Sequence, residues 1–156
     1  MAIVRILVDG YSLLHNWPGL APGRPRHSAA AREELIHRLM LYRDAIGTPI
    51  TIVFDGAGAK PDASQLPSTP QLEIIYSQAG QTADQIIERV TSRLLPFGEV
   101  LAVTDDYAER DTVASMGGMA CSCLNFISDV ENTLADFDRE LRHLNLREQR
   151  QFKKQS

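Results

Sequence analysis

Residues 3–12 read Ile3-Val4-Arg5-Ile6-Leu7-Val8-Asp9-Gly10-Tyr11-Ser12, a mostly apolar run that ends abruptly in a carboxylate and a glycine. A short run of this kind is typical of a buried parallel strand. Open α/β sheets bind their ligands beyond the carboxyl ends of their strands, and Asp9 falls at such an end. This stretch therefore predicts a first strand, with Asp9 as the anchor of a functional site.

The composition is that of an ordinary globular protein. The 156 residues are 44% hydrophobic and 23% charged, with a formal net charge of −4, and this size fits one domain with one core. The charge argues against a basic nucleic-acid coat protein, although carboxylates that bind a metal also count as negative. No apolar run reaches membrane-span length, no signal-peptide pattern follows Met1, and Cys121 and Cys123 are too close in sequence for a useful disulfide. We therefore expect a cytoplasmic protein without a membrane partner.

Strand and helix signals alternate along the chain. After residues 3–9, apolar segments predict strands at 50–54, 72–76, 100–103 and 119–122. Helical spacing and capping residues predict a helix from Ser28 to about Ile46, closed by Gly47, and a helix from Thr82 to about Leu95 with Gln85 at the capping-box position. Further helices are predicted at about 107–116 and 125–144. This alternation predicts an α/β fold with a mainly parallel sheet of about five strands and helices on both faces.

The remaining segments predict loops and a tail. Residues 15–27 contain three prolines and two glycines, and the stretch up to Pro70 is rich in Gly, Ala, Pro and Ser, so both segments predict irregular structure. We assign residues 1–146 to a single domain and residues 147–156 to a polar, weakly basic tail that frays.

Carboxylates end three of the predicted strands: Asp9 ends the first, Asp55 the second, and the pair Asp105 and Asp106 the fourth. The carboxyl ends of parallel strands share one edge of a sheet, so we expect these acids to gather along one crevice. Taken alone, Asp55 has an alternative as a turn or capping residue, and the sequence leaves that alternative open.

The helix that Thr82 opens adds two more acids. Asp84 and Glu88 lie at positions i and i+4, on one helix face. Asp84 alone has an alternative, since an acid in a first helical turn is favoured by the helix dipole. Together, crowded carboxylates favour a hard cation, and oxygen-only ligands indicate Mg²⁺ or Mn²⁺. Such an ion activates water for hydrolysis of a phosphodiester.

Two loops at the same predicted edge carry candidate substrate-binding residues. Cations there would hold phosphates that flank the scissile one, and a tryptophan would stack a base; the candidates are Arg24, Arg26, Lys60 and Trp17. The alternatives are that Trp17 packs its loop onto the domain and that the arginines are only solvated.

Several of these segments together resemble the YacP-like NYN domains, relatives of the PIN-domain nucleases. The resemblance begins in residues 7–18, Leu-Val-Asp-Gly-Tyr-Ser-Leu-Leu-His-Asn-Trp-Pro, and continues at Val-Phe-Asp-Gly in residues 53–56. It is clearest at Ala-Gly-Gln-Thr-Ala-Asp-Gln-Ile-Ile-Glu in residues 79–88 and resumes at Val-Thr-Asp-Asp in residues 103–106 and at Ser122. Order and spacing match over about residues 3–135.

The resemblance implies a three-layer, Rossmann-like domain that acts as an endoribonuclease with acid-bound Mg²⁺ or Mn²⁺. By position, Asp9, Asp84 and Asp106 match the core acids of the family. Asp105 stands where the family more often has Ser, and it is a candidate metal ligand that would replace or supplement Asp106. RNA is the implied substrate. The ribosome is an implied partner, because some members are associated with translation.

The chain departs from the family at Ser12, where the first motif normally has Asn. Asn offers an acceptor and donors at longer reach, whereas Ser offers one short hydroxyl, which would contact a metal-bound water or a phosphate. This supports a second hypothesis, a catalytically weak or inactive module that binds RNA or the ribosome. A nucleotide-binding Rossmann protein is disfavoured because no glycine-rich phosphate loop follows a strand.

Overall fold

The protein is a three-layer α/β domain in a computed structural model that describes residues 2–56 and 68–155. Five parallel strands form one sheet in the order β3-β2-β1-β4-β5. The strands are β1 (Ile3–Asp9), β2 (Ile50–Phe54), β3 (Leu72–Tyr76), β4 (Glu99–Val103) and β5 (Met119–Cys121). The predicted fold class is confirmed.

Within the described residues, five helices connect or follow the strands: α1 (Gly10–His15), α2 (Ala29–Ile46), α3 (Ala83–Leu94), α4 (Tyr107–Ser115) and α5 (Cys123–Gln155), with a 3₁₀ turn at Leu95–Phe97. Predicted caps are present. The Ser28 hydroxyl accepts from the amide of Ala31, Gly47 ends α2 in a left-handed conformation, and Thr82 and Gln85 form a capping box.

Alternation along β1 divides the core into two halves, one on each face of the sheet. Ile6 and Val8 pack on one face against α1, α2 and α5, while Leu7 packs on the other against α3 and α4. β1 and β2 are almost wholly buried apart from the first half of β1, as expected for central parallel strands. Both faces of the sheet are therefore covered, and only its edges remain for a site.

Three features differ from the predictions. α1 follows β1 directly, in a stretch where we predicted no helix, because Asp9 caps it. α5 begins at Cys123, where the carboxylate of Asp105 accepts from its first amide. The predicted frayed tail is wrong: α5 continues to Gln155, through residues with good helix propensity such as Arg, Glu, Gln and Lys. Among the described residues, no helix is long and apolar enough to cross a membrane.

Candidate functional site

The site lies at the carboxyl edge of the sheet, where β1 sits between β2 and β4. A cavity of about 410 Å³ opens there, lined by Asp9, Tyr11, Ser12, His27, Asp55, Thr82, Ala83 and Asp84. The first strand thus supplies the floor of the cavity, and α3 and the loop before α2 supply its walls. The predicted convergence of Asp9, Asp55 and Asp84 is present in the structure.

Asp9 is the most perturbed acid of the cavity. It ends β1 and caps α1, since its Oδ1 accepts from the amide of Ser12 at 3.3 Å. Its pKa is raised from 3.8 to about 6, by burial first and also by the charges of Asp84, Asp55 and Asp106, while the hydrogen bond from the Ser12 amide lowers it. A carboxylate in these surroundings is stabilised by a cation.

Asp84 occupies the first turn of α3 and faces the same group. Its pKa is raised by burial first and then by the charges of Asp106, Glu88 and Asp55. Asp106 caps α4, its Oδ1 accepting from the amides of Ala108 and Glu109, so the two helix starts bring their acids towards Asp9. Glu88, at position i+4 of the same helix, acts on Asp84 through its charge but does not line the cavity.

Glu109 belongs to this group and was missed in the sequence. It is 3% exposed, and its Oε1 has no hydrogen-bond partner within the described residues. Its pKa is raised to about 8 by burial, by the adjacent carboxyl of Glu88 and by the charges of Asp84 and Asp106. The available signal was its position three residues after Asp106, one turn along the same helix face.

Each aspartate-glycine pair at this edge has a steric reason. A Cβ on Gly10 would lie 2.4 Å from the Phe54 ring, and a Cβ on Gly56 would lie 2.2 Å from the carbonyl oxygen of Ser77. The Ser77 hydroxyl donates to Asp55 at 3.1 Å and accepts from the amide of Gly56 at 2.9 Å. Glycine thus allows β1 and β2 to end close to their neighbours, which sets where Asp9 and Asp55 lie.

Ser12 and Asp105 hold the start of α5 in place. The Ser12 hydroxyl accepts from the amide of Asp105 at 3.1 Å and lies 3.4 Å from the sulfur of Cys123. Asp105 in turn accepts from the amide of Cys123 at 2.9 Å, and it is not among the charges that perturb Asp9 or Asp84. Asp105 therefore differs from Asp106, which also caps a helix but whose charge acts on both Asp9 and Asp84.

Two of the predicted substrate-binding residues are structural instead. Trp17 is 4% exposed and its indole donates to Glu131, so its faces are not free to stack a base. The guanidinium of Arg26 donates to four backbone carbonyls of the loop, those of Trp17, Leu20, Ala21 and Arg24. The packing alternative describes Trp17. Arg26 is not merely solvated, which was its alternative, because it satisfies free carbonyls of a proline-rich loop.

The other two predicted cations have different outcomes. Arg24 is exposed in the loop before α2 and does not line the cavity. Lys60 lies outside the described residues. Tyr11 and His27 line the cavity with ring centroids 4.6 Å apart; of these two, Tyr11 was not predicted as a site residue.

The donors at this edge suit a hydrated Mg²⁺ or Mn²⁺ ion. Within residues 2–56 and 68–155, no three acidic, histidine or cysteine side chains converge tightly enough to hold a metal by themselves. Mg²⁺ usually keeps several waters and takes only one or two carboxylates together with substrate phosphates. The oxygen-only set around Asp9 and the unpartnered carboxylate oxygen of Glu109 fit that requirement.

A five-stranded parallel sheet with acids at the carboxyl ends of β1 and β4 defines a PIN-like α/β domain. The family model of the YacP-like NYN domain matches residues 6–156, and the chain belongs to that family. This membership indicates a nuclease-like protein with an RNA-related function, and the predicted resemblance is confirmed.

One relative in sequence and two solved structures illustrate the relationship. The chain is 26% identical over 140 residues to YacP of Bacillus subtilis (strain 168), covering 89% of this chain and 82% of YacP. A crystal structure of a variant of Rae1 (YacP) from Bacillus subtilis is similar, with a TM-score of 0.75 and 25% identity over 90% of this chain and 82% of that chain. A second Rae1 (YacP) structure, at 24% identity over 95% of this chain and 84% of that chain and with a TM-score of 0.75, supports the fold.

Proposed function

We propose that this protein is a Mg²⁺- or Mn²⁺-dependent endoribonuclease that hydrolyses RNA phosphodiester bonds at the carboxyl edge of its sheet. The observation that carries the proposal is the environment of Asp9. This carboxylate is largely buried, its pKa is raised to about 6, and the charges of Asp84, Asp55 and Asp106 act on it. Among the described residues, no arginine or lysine forms an ion pair with Asp9, Asp84 or Asp106. A hard cation is the group that stabilises such an arrangement.

The proposed roles follow from position. Asp9, Asp84 and Asp106 would hold the ion, with Glu88 and Glu109 behind Asp84. When bound, the ion supplies an activated water and neutralises charge that develops at phosphorus. Asp55 and His27 also line the cavity and would contact the substrate. Asp105, through its bond to the amide of Cys123, is proposed to position β4 and α5.

RNA is the proposed substrate because the family is nuclease-like and RNA-related. The cytoplasm is the compartment we propose. Association with the ribosome is a further proposal, and it rests on the family resemblance alone.

The proposal is tested by cleavage of end-labelled single-stranded and structured RNAs with Mg²⁺, with Mn²⁺ and with a chelator. We expect cleavage only with the metals, and a fall of at least about 100-fold for Asp9→Asn and Asp84→Asn, because ion-mediated stabilisation amounts to several kcal/mol. Asp44→Asn, which changes an exposed acid at the end of α2, is the matched control and should cleave normally. Cleavage that survives both site substitutions would refute the assignment.

A second candidate is an RNA-binding module without turnover, and the observation in its favour is the state of Ser12. Its hydroxyl is already engaged with the Asp105 amide, whereas the family Asn would bring a further donor and acceptor. Retained RNA binding with no cleavage, together with a large gain of cleavage in Ser12→Asn, would identify this candidate as the correct one.

A further inference from the structure

Tyr107 is an exposed aromatic residue beside the acidic site. It follows Asp106 directly and is the first residue of α4, and its side chain is 78% exposed. Of the aromatic residues in the described part of the chain, only Phe97 and Phe152 are comparably exposed. Phe97 lies in the turn before β4 and Phe152 is near the end of α5. Among the described phenylalanine, tyrosine and tryptophan side chains, Tyr107 is therefore the highly exposed one at the carboxyl edge.

Arg110 places a positive charge against this ring. Its guanidinium carbon lies 4.3 Å from the centroid of Tyr107, a cation–π contact one helical turn along α4. Its Nε is buried without a hydrogen-bond partner within the described residues. Its charge also acts on Cys121, at the carboxyl end of β5. Arg110 is thus a cation beside Asp106 on an edge otherwise dominated by acids.

We propose that Tyr107 and Arg110 form a nucleotide subsite that binds an unpaired base next to the scissile phosphate, an inference that rests on the proposed nuclease function for the position of that phosphate. One side of the Tyr107 ring is covered by the guanidinium, and the exposed remainder offers a surface on which a base stacks. Arg110 supplies a cation for the phosphate of the same nucleotide. Exposed aromatic rings interleaved with arginine are the elements with which proteins bind single strands.

The geometry favours unpaired over paired RNA. A base within a duplex is already stacked on both faces, so it must leave the helix before it can cover a protein ring. Tyr107 is one residue from Asp106, whose charge acts on both Asp84 and Asp9. A base on Tyr107 is therefore close to any phosphate that contacts the acidic group. The substrate class is RNA that is single-stranded at the cleavage position.

The test measures binding separately from cleavage, in the full-length Asp9→Asn protein with Mg²⁺ present. Fluorescence anisotropy with a labelled, unstructured RNA of about twelve nucleotides reports affinity directly. We expect an additional Tyr107→Ala change to weaken binding about 5- to 150-fold, the range found for loss of one stacked base, and Tyr107→Phe to restore most of it. Phe97→Ala, which removes an equally exposed ring at the other edge, is the matched control and should bind normally.

A scan with abasic nucleotides then locates the contact. At one position the missing base should weaken binding, and there Tyr107→Ala should cause no further loss. Arg110→Gln should reduce the magnitude of the slope of log affinity against log salt concentration by about 0.7, the value for one phosphate contact on a single strand. The inference is overturned if the Asp9→Asn protein binds no RNA or binds duplex RNA equally well. It is also overturned if Tyr107→Ala binds RNA normally or if Phe97→Ala weakens binding as much as Tyr107→Ala does. The same holds if no abasic position abolishes the difference in affinity caused by Tyr107→Ala. If a base stacks on Tyr107 but the wild-type protein cleaves no RNA, the nuclease function is refuted while the nucleotide subsite is supported.

Discussion

At the residue scale, the ionised form of Asp9 lowers the stability of the folded protein. Burial and neighbouring acids raise its pKa from 3.8 to about 6, so between these values the folded chain binds a proton more readily than the unfolded chain. The stability from this residue is then greatest at low pH and is lost as the pH rises through about 4 to 6. Asp84 and Glu109, whose pKa values are also raised, act in the same direction.

Asp9→Asn should therefore stabilise the protein at neutral pH. Asn keeps an oxygen that can accept from the Ser12 amide but carries no charge, so we expect the free energy of unfolding to rise by about 1–3 kcal/mol at pH 7.5 in a chelator. Urea unfolding at pH 7.5 and pH 4 checks the prediction, and the difference should shrink towards zero at pH 4. Mg²⁺ or Mn²⁺ should stabilise the wild type more than the variant. A variant less stable than the wild type at pH 7.5 would contradict the prediction.

At the element scale, α5 has two different halves. Its first part packs into the core through Cys123, Phe126, Ile127 and Val130. From residue 135 to residue 154 every described side chain is exposed, and the helix is supported by local pairs such as Asp138 with Arg142 at 3.0 Å. Exposed pairs of this kind contribute only a few tenths of a kcal/mol each. The second half is therefore a marginal helix by itself.

Removal of residues 147–156 should consequently change stability little. We expect the free energy of unfolding of a chain ending at residue 146 to stay within about 1 kcal/mol of the full chain, because the deleted side chains are solvent-exposed. Urea unfolding compares the two chains, and amide hydrogen exchange should show faster exchange after residue 140 than in residues 124–134. A larger loss would mean that residues 147–156 make stabilising contacts, and the proposed domain boundary would be wrong.

At the scale of the whole molecule, the carboxyl ends and the amino ends of the strands have different roles. β1 lies between β2 and β4, so the chain reverses its direction of strand addition there, and open α/β sheets bind ligands at such a switch point. At the other end of β1, Arg5 donates to the Thr51 hydroxyl at 3.0 Å and to the carbonyl of Pro70 at 3.1 Å. That contact ties β1 and β2 to the segment that enters β3.

Arg5→Met should lower stability and leave cleavage by the folded protein unchanged. The variant keeps the apolar stem but loses two charge-assisted hydrogen bonds, which we expect to reduce the free energy of unfolding by about 1–2 kcal/mol. Urea unfolding and the metal-dependent cleavage assay are compared with Arg89→Met, an exposed change on α3. If Arg5→Met lost cleavage but kept normal stability, the assignment of stability to the amino ends and of cleavage to the carboxyl ends of the strands would be refuted.

The alternation of apolar strands and amphipathic helices determined the α/β class, since periodicity is a local property of the sequence. Caps were equally local: Ser28, Gly47 and the Thr82–Gln85 box are where the sequence predicted them. The acids at strand ends predicted the site edge because parallel strands share one carboxyl edge. These parts required no knowledge of which strands are neighbours.

Strand order, burial and hydrogen bonding between distant residues were decided by the tertiary structure alone. Trp17 and Arg26 were predicted to bind substrate, but contacts to Glu131 and to loop carbonyls occupy them. Asp105 and Asp106 are adjacent in sequence, yet one caps α5 and the other caps α4. Glu109 joined the acids only because α3 and α4 pack on the same face of the sheet. The sequence by itself determined where a charge could end a strand, and the packing determined which of those charges meet, because burial and long-range contacts depend on residues far apart in the chain.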